Sequence, residues 1–175
     1  MSFMKKHPFL NVEFHSTVKL SPKEITQLNK WLAISSQVLS SLVKEKVIPG
    51  FKGNNLHVSL LICGDSRIKV LNKEHRQKDK VTDVLSFPAQ DNLRNIKAVN
   101  DNELFLGDLA ISWPRAKKQA KEFNIGVFDE FIHLFFHGIL HLMGFDHDVS
   151  AKEEMLMESW EIKALNRFSK LKGAR

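Results

Sequence analysis

The chain has one cysteine, Cys63, among 175 residues. No intramolecular disulfide can form, which excludes a disulfide-stapled scaffold and fits a reducing compartment. Long apolar runs are also missing. The most apolar stretch, Phe131 to Phe145, is too short to span a bilayer and contains three histidines. Met1 to Leu10 carries charges and lacks an apolar core of signal-peptide length. No internal repeat or low-complexity tract appears. These absences predict a soluble cytoplasmic protein that makes no use of a membrane. What is present is ordinary for a globular chain: 43% apolar and 26% charged residues. The length suits one domain, 1–175, with a core of its own. The net charge of +6 favours a polyanionic partner.

Patterning predicts strands over Phe9 to His15, Leu56 to Cys63, Thr82 to Phe87 and Leu104 to Ser112. Gly107 inside the last of these predicts a bulge or a close backbone approach. Ser21-Pro22-Lys23-Glu24 is a capping box that opens a helix to about Lys46. Further helices are expected from Arg67 to His75, from Pro114 to Phe123 and from Val127 to Met143. The last of these is apolar on nearly all sides and therefore buried. Ser150-Ala151-Lys152-Glu153 reads as a second capping box, starting a helix to about Arg167 with a frayed basic tail after Lys170. Polar residues Ala89 to Asn102 read as a mobile surface loop, with a β-hairpin extension as the alternative. The sum is an α/β or α+β fold, a small mixed four-stranded sheet packed with about five helices.

Within the apolar central helix, His137 and His141 lie four residues apart and share a face. Gly144 is the residue type that ends a helix in the left-handed conformation. Beyond it the chain can double back and bring His147 to the same point. Three neutral imidazoles with a fourth position open form the layout of a catalytic zinc site. A single histidine on such a helix is usually a packed core residue, but three at this spacing are hard to assign to packing. The spacing is that of metzincin peptidases, except that Gly138 stands where their catalytic glutamate belongs. The motif thus indicates a metal and argues against a conventional peptidase. His133, one turn earlier, is a fourth ligand, a base, a partner of a ligand, or simply packed. Asp146 either orients a neighbouring imidazole or completes the turn.

Four blocks taken together resemble the YbeY family of metal-dependent bacterial endoribonucleases. They are Asn72-Lys73-Glu74-His75-Arg76, Thr82 through Pro88, Leu106 through Ser112, and His137 through His147. The resemblance implies one zinc ion on His137, His141 and His147, and Arg76 facing substrate as the catalytic side chain. It further implies action on single-stranded RNA, in maturation of small-subunit ribosomal RNA 3′ ends and in ribosome quality control. The partners would then be RNA, the small ribosomal subunit and its factors. Phe145 stands where the family usually has tyrosine.

Zinc at this position would acidify water or polarise a phosphoryl oxygen. Arg76 would hold the phosphate by a planar, two-pronged contact. Lys78 and Lys80 near Arg76, and Lys117 and Lys118 on the helix after Pro114, would attract the RNA backbone independently of sequence. Two rivals stand beside this reading: a non-catalytic assembly factor with structural zinc, and a metallohydrolase acting on another substrate such as a peptide. A closed fourth ligand would favour the first.

Overall fold

The computed structural model describes residues 1–98 and 101–174. Five strands, five α-helices and one 3-10 turn follow in the order β1 (Ser2–Lys6), β2 (Leu10–Ser16), α1 (Pro22–Lys44), β3 (Asn55–Cys63), α2 (Asp65–Arg76), β4 (Val84–Pro88), the 3-10 turn Leu93–Asn95, β5 (Glu103–Ser112), α3 (Trp113–Glu122), α4 (Val127–Leu142) and α5 (Ala151–Gly173). The sheet order is β1-β2-β3-β5-β4. The β2/β3 and β3/β5 pairs are parallel, and both edge strands run antiparallel to their neighbours.

The mixed α/β class is as expected, but the sheet has five strands rather than four. The strand left out of the expectation is β1. It lies at an edge, and Ser2, Met4 and Lys6, which share one face, are all exposed, so that face imposes no apolar alternation.

The main core lies on one face of the sheet. Leu10, Val12 and Phe14 of β2, Leu56, Val58 and Leu60 of β3, and Leu104 and Ile111 of β5 meet the buried sides of α1, α4 and α5 there. Phe131, Phe135, Phe136 and Ile139 of α4 are buried, each contributing roughly 1.5–3 kcal/mol. On the opposite face α2 covers only one end, where Ile68 packs with Cys63, Leu85 and Ala110. Burial pushes the Cys63 thiol up to about 11, which leaves it protonated and unreactive.

Three local expectations need correction. The segment 89–98 is anchored: Leu93 is fully buried and Ile96 packs on the core, while Val99 and Asn100 lie outside the described residues. Ser150 caps α5 by accepting from the Glu153 N–H, but the Glu153 carboxylate does not complete the box; it turns to Arg94. The C-terminal residues continue α5 to Gly173, because Lys172 pairs with Asp129 and lies over the Trp31 ring. The predicted bulge is present. Gly107 has φ +128° at a register shift, and a β-carbon there would meet the Phe87 carbonyl oxygen at 2.2 Å. Among the described residues no single helix is long and apolar enough to cross a membrane.

Candidate metal centre

The periodicity of α4 sets His137 and His141 side by side, with their Nε2 atoms 3.1 Å apart. The helix ends at Leu142, and Gly144 takes φ +95°. The Phe145 N–H then returns to the Leu140 carbonyl, 3.1 Å away, and the chain reverses. A β-carbon on Gly144 would also meet Asn92 Oδ1 at 2.6 Å. The reversal brings the His147 ring within 5.5 Å of His137 and 5.1 Å of His141, centroid to centroid. One ring nitrogen from each residue lies within 4.8 Å of the others.

Each imidazole has an oxygen near its Nδ1. His141 Nδ1 donates to the Phe145 carbonyl at 2.9 Å. His137 Nδ1 lies 3.3 Å from Glu161 Oε1, and His147 Nδ1 lies 3.1 Å from Asp148 Oδ1. With a proton on each Nδ1, the Nε2 atoms of His137 and His141 would present lone pairs to each other, an arrangement that a cation between them stabilises. Ligands about 2.0–2.1 Å from a tetrahedral zinc are themselves roughly 3.3 Å apart, so the donor set fits. Burial, and then His137, push His141 down to about 4 and keep it neutral as a ligand must be.

His133 does not join the three. Its Nε2 lies 3.2 Å from Glu161 Oε1 and its Nδ1 3.7 Å from Glu130. Pairing with Glu161 raises its pKa despite burial. Burial alone would raise Glu161, but His133 and His137 overcome it and hold the carboxyl at about 2. Of the two readings of Asp146, the turn is what is observed: its Oδ1 accepts the Asp148 N–H at 2.9 Å. The carboxylate nearest the His147 ring is the exposed Asp148. Neither Glu161 nor Asp148 was legible beforehand; Glu161 is one of several glutamates on a charged helix.

The three histidines line a cleft of about 710 Å³ whose walls include Arg76, Ser86 and Arg94. Arg76, exposed at the end of α2, donates to the Ser86 carbonyl at 3.2 Å. The Thr82-to-Pro88 block acquires a structural reason. Asp83 accepts from Thr82 at 3.1 Å, from the Val84 N–H at 2.8 Å and from Gln119 at 2.7 Å, fixing the start of β4 against α3. Burial opposes that charge, but the Gln119 amide and the neighbouring donors prevail and lower its pKa.

Gly138 packs against the sheet, where a β-carbon would meet Leu109 Cδ1 at 2.2 Å. A glutamate does not fit there. The four lysines do not line the cleft. Lys117 pairs with Glu24 at 3.4 Å and lies over Trp113, and Lys118 pairs with Glu122 at 3.7 Å. Lys78 and Lys80 are exposed on the segment after α2, whose path Asn72 fixes by bonding the Lys80 carbonyl at 2.8 Å.

A family model described as Endoribonuclease YbeY matches residues 17–169. The chain belongs to the YbeY family. A protein of Sulfurihydrogenibium named Endoribonuclease YbeY is 34% identical over 154 residues, 84% of this chain and 97% of that one. A protein of the same name from Persephonella marina is 44% identical over 115 residues, 66% of this chain and 72% of its own. A solution structure of a Thermotoga maritima protein shares the fold, with a TM-score of 0.57 and 23% identity over 92% of each chain.

Proposed function

We propose that this protein is a zinc-dependent endoribonuclease that cuts single-stranded RNA. The observation that carries the reading is the convergence of three imidazoles in a cleft that Arg76 also enters. His137, His141 and His147 would hold the ion. Zinc, when bound, supplies Lewis acidity toward a phosphoryl oxygen and acidifies water. Arg76 binds a non-bridging phosphate oxygen through its guanidinium, which the Ser86 carbonyl holds at the rim, and offsets the charge that develops there. Glu161 and the Phe145 carbonyl keep the His137 and His141 rings in one tautomer. The attacking oxygen is either water or the RNA 2′-hydroxyl.

The family name supports RNA as substrate, and the net charge of +6 agrees with a polyanion. We assign the activity to small-subunit ribosomal RNA 3′-end maturation and quality control in the cytoplasm, in contact with the small ribosomal subunit. Lys78 and Lys80, beside Arg76 in the chain, are the lysines best placed to attract the backbone. A structural-zinc assembly factor fits less well, because His133 is engaged by Glu161 and does not close the site. A peptidase fits less well because Gly138 leaves no room for a general base on that turn.

The test is cleavage of a short single-stranded RNA and of a peptide, with and without chelator, by wild type, His141→Ala and Arg76→Ala. RNA cleavage that needs metal is expected. His141→Ala should lose metal and cleavage together, whereas Arg76→Ala keeps metal and loses about 10²–10³-fold in turnover. Stoichiometric zinc in His141→Ala, or unchanged turnover in Arg76→Ala, would overturn the assignment of that residue.

A further inference from the structure

Strand β4 is an edge strand with a cavity on each face. On one face lies the cleft, where Ser86 and Pro88 form part of the wall. On the other lies a cavity of about 420 Å³, lined by His15, Leu61, Leu71, His75, Phe87 and Asp108. Alternation along the strand explains the division, since successive side chains point to opposite faces. Among the described residues no further strand lies outside β4 in the sheet, which leaves an extended chain a route around it from one cavity to the other.

The two cavities are coupled through neighbouring residues. Arg76 reaches the Ser86 carbonyl at 3.2 Å on the cleft side. The preceding residue, His75, sets its ring edge-on to Phe87, the residue after Ser86, with centroids 5.0 Å apart. One step along α2 and one step along β4 therefore change a phosphate-binding contact into a pair of rings. The second cavity also differs in chemistry. Leu61 and Leu71 give it an apolar floor, the His75 ring is exposed, and the Asp108 carboxylate has no hydrogen-bond partner among the described residues. A carboxylate repels a phosphate but accepts from an exocyclic amino group on a base. The volume lies within the roughly 300–1,000 Å³ of small-ligand pockets.

We propose that this cavity is a nucleobase subsite. It receives the base of the nucleotide next to the scissile phosphate, packed on His75 and Phe87. Asp108 favours bases that carry an amino group over uracil. The proposal rests on the RNA reading above and adds to it where the flanking base goes.

Wild-type protein loaded with zinc is first used to map a cut in a short single-stranded RNA. The RNA is then remade with one abasic nucleotide on the 5′ or the 3′ side of the cut, and in a second series with cytosine or uracil there. Cleavage efficiency is measured for each, and binding is followed by fluorescence anisotropy in chelator. For one side only, the abasic RNA should lose about thirtyfold in both readouts, the middle of the range for one base–aromatic stack. That loss should vanish in His75→Ala, whose exposed ring is not needed for folding, and shrink in Phe87→Leu, which keeps an apolar side chain. Asp108→Asn should erase the preference for cytosine. An abasic penalty of equal size in wild type and His75→Ala overturns the subsite while leaving the nuclease reading intact. A wild-type protein that neither binds nor cuts RNA overturns both.

Discussion

Glu161 places one carboxylate oxygen 3.3 Å from His137 Nδ1 and 3.2 Å from His133 Nε2. It comes from α5, whereas both histidines come from α4. The last helix is thus part of the site and does more than cover the core. Its carboxyl is ionised at neutral pH because the imidazoles offset a burial cost of opposite sign.

Glu161→Gln removes that charge at nearly constant shape. Partners of this kind typically account for 10–100-fold in metal affinity. Zinc affinity measured by competition with a chromophoric chelator should fall within that range, while circular dichroism stays unchanged. Equal affinity would show that the His137 ring needs no anchor from α5.

The convergence of the three histidines was readable in the sequence because helical spacing and one glycine specify their meeting locally. Two residues four apart and a left-handed position at Gly144 are short-range facts. Glu161 and Arg94 were not readable, because each reaches the site through tertiary packing. Sequence distance separates Arg94 from Glu153 by 59 residues, and the capping pattern that includes Glu153 does not point to Arg94. The edge strand β1 escaped for a related reason: periodicity reports a buried face, and the face that carries Ser2, Met4 and Lys6 is exposed. Asp83 lay in a recognisable block, yet its purpose appeared only when α3 brought Gln119 to it at 2.7 Å.

Gly138→Ala sets helix propensity against space. Alanine gains about 0.5–1 kcal/mol over glycine within a helix. Here the new carbon would sit 2.2 Å from Leu109 Cδ1 and 3.2 Å from Ser86 Oγ, and Leu109 is itself buried. Overpacking costs about 1–3 kcal/mol and wins. Thermal unfolding should occur several degrees lower, at roughly 2–4 °C per kcal/mol for a chain of this size. A melting temperature equal to or above wild type would mean that α4 shifts freely on the sheet.

Acid should destabilise the metal-free protein through His141. Its folded pKa, about 4, is below the ordinary 6.5. Between those values the unfolded chain binds a proton that the folded chain refuses, so stability falls as pH falls from 6.5 to 4. His133 is shifted the other way; its contribution is complete below 6.5 and disappears only as pH rises through its higher folded pKa. The contribution of Glu161 is lost only between its ordinary value of 4.5 and about 2, mostly below the window. His7, also lowered by burial and by Lys5, adds a slope of the same sign that both proteins keep. Urea titrations in chelator should therefore show a steeper loss toward acid for wild type than for His141→Asn. The difference should be on the order of 2 kcal/mol across the window. Parallel pH profiles would place the His141 pKa near its ordinary value.

Arg94 ties the segment after β4 to the turn that carries the third imidazole. Its guanidinium bonds both oxygens of Glu153, at 2.5 and 3.3 Å, and donates to the Gly144 carbonyl at 3.4 Å. It also lies 4.3 Å over the Phe145 ring. The Phe145 carbonyl is the acceptor for His141 Nδ1, so the brace acts on the His141 ring at one remove. Arg94→Ala leaves Leu93 buried and the fold in place. It should open Lys97 to trypsin and weaken zinc binding, with less effect on α4 itself. Arg94→Lys should restore little, because an ammonium cannot bond two carboxylate oxygens in a plane while stacking on an aromatic ring. Full rescue by lysine would reduce the contact to simple charge pairing. Unchanged proteolysis together with unchanged affinity would show that the turn holds its shape through Gly144 and the α4 hydrogen bonds alone.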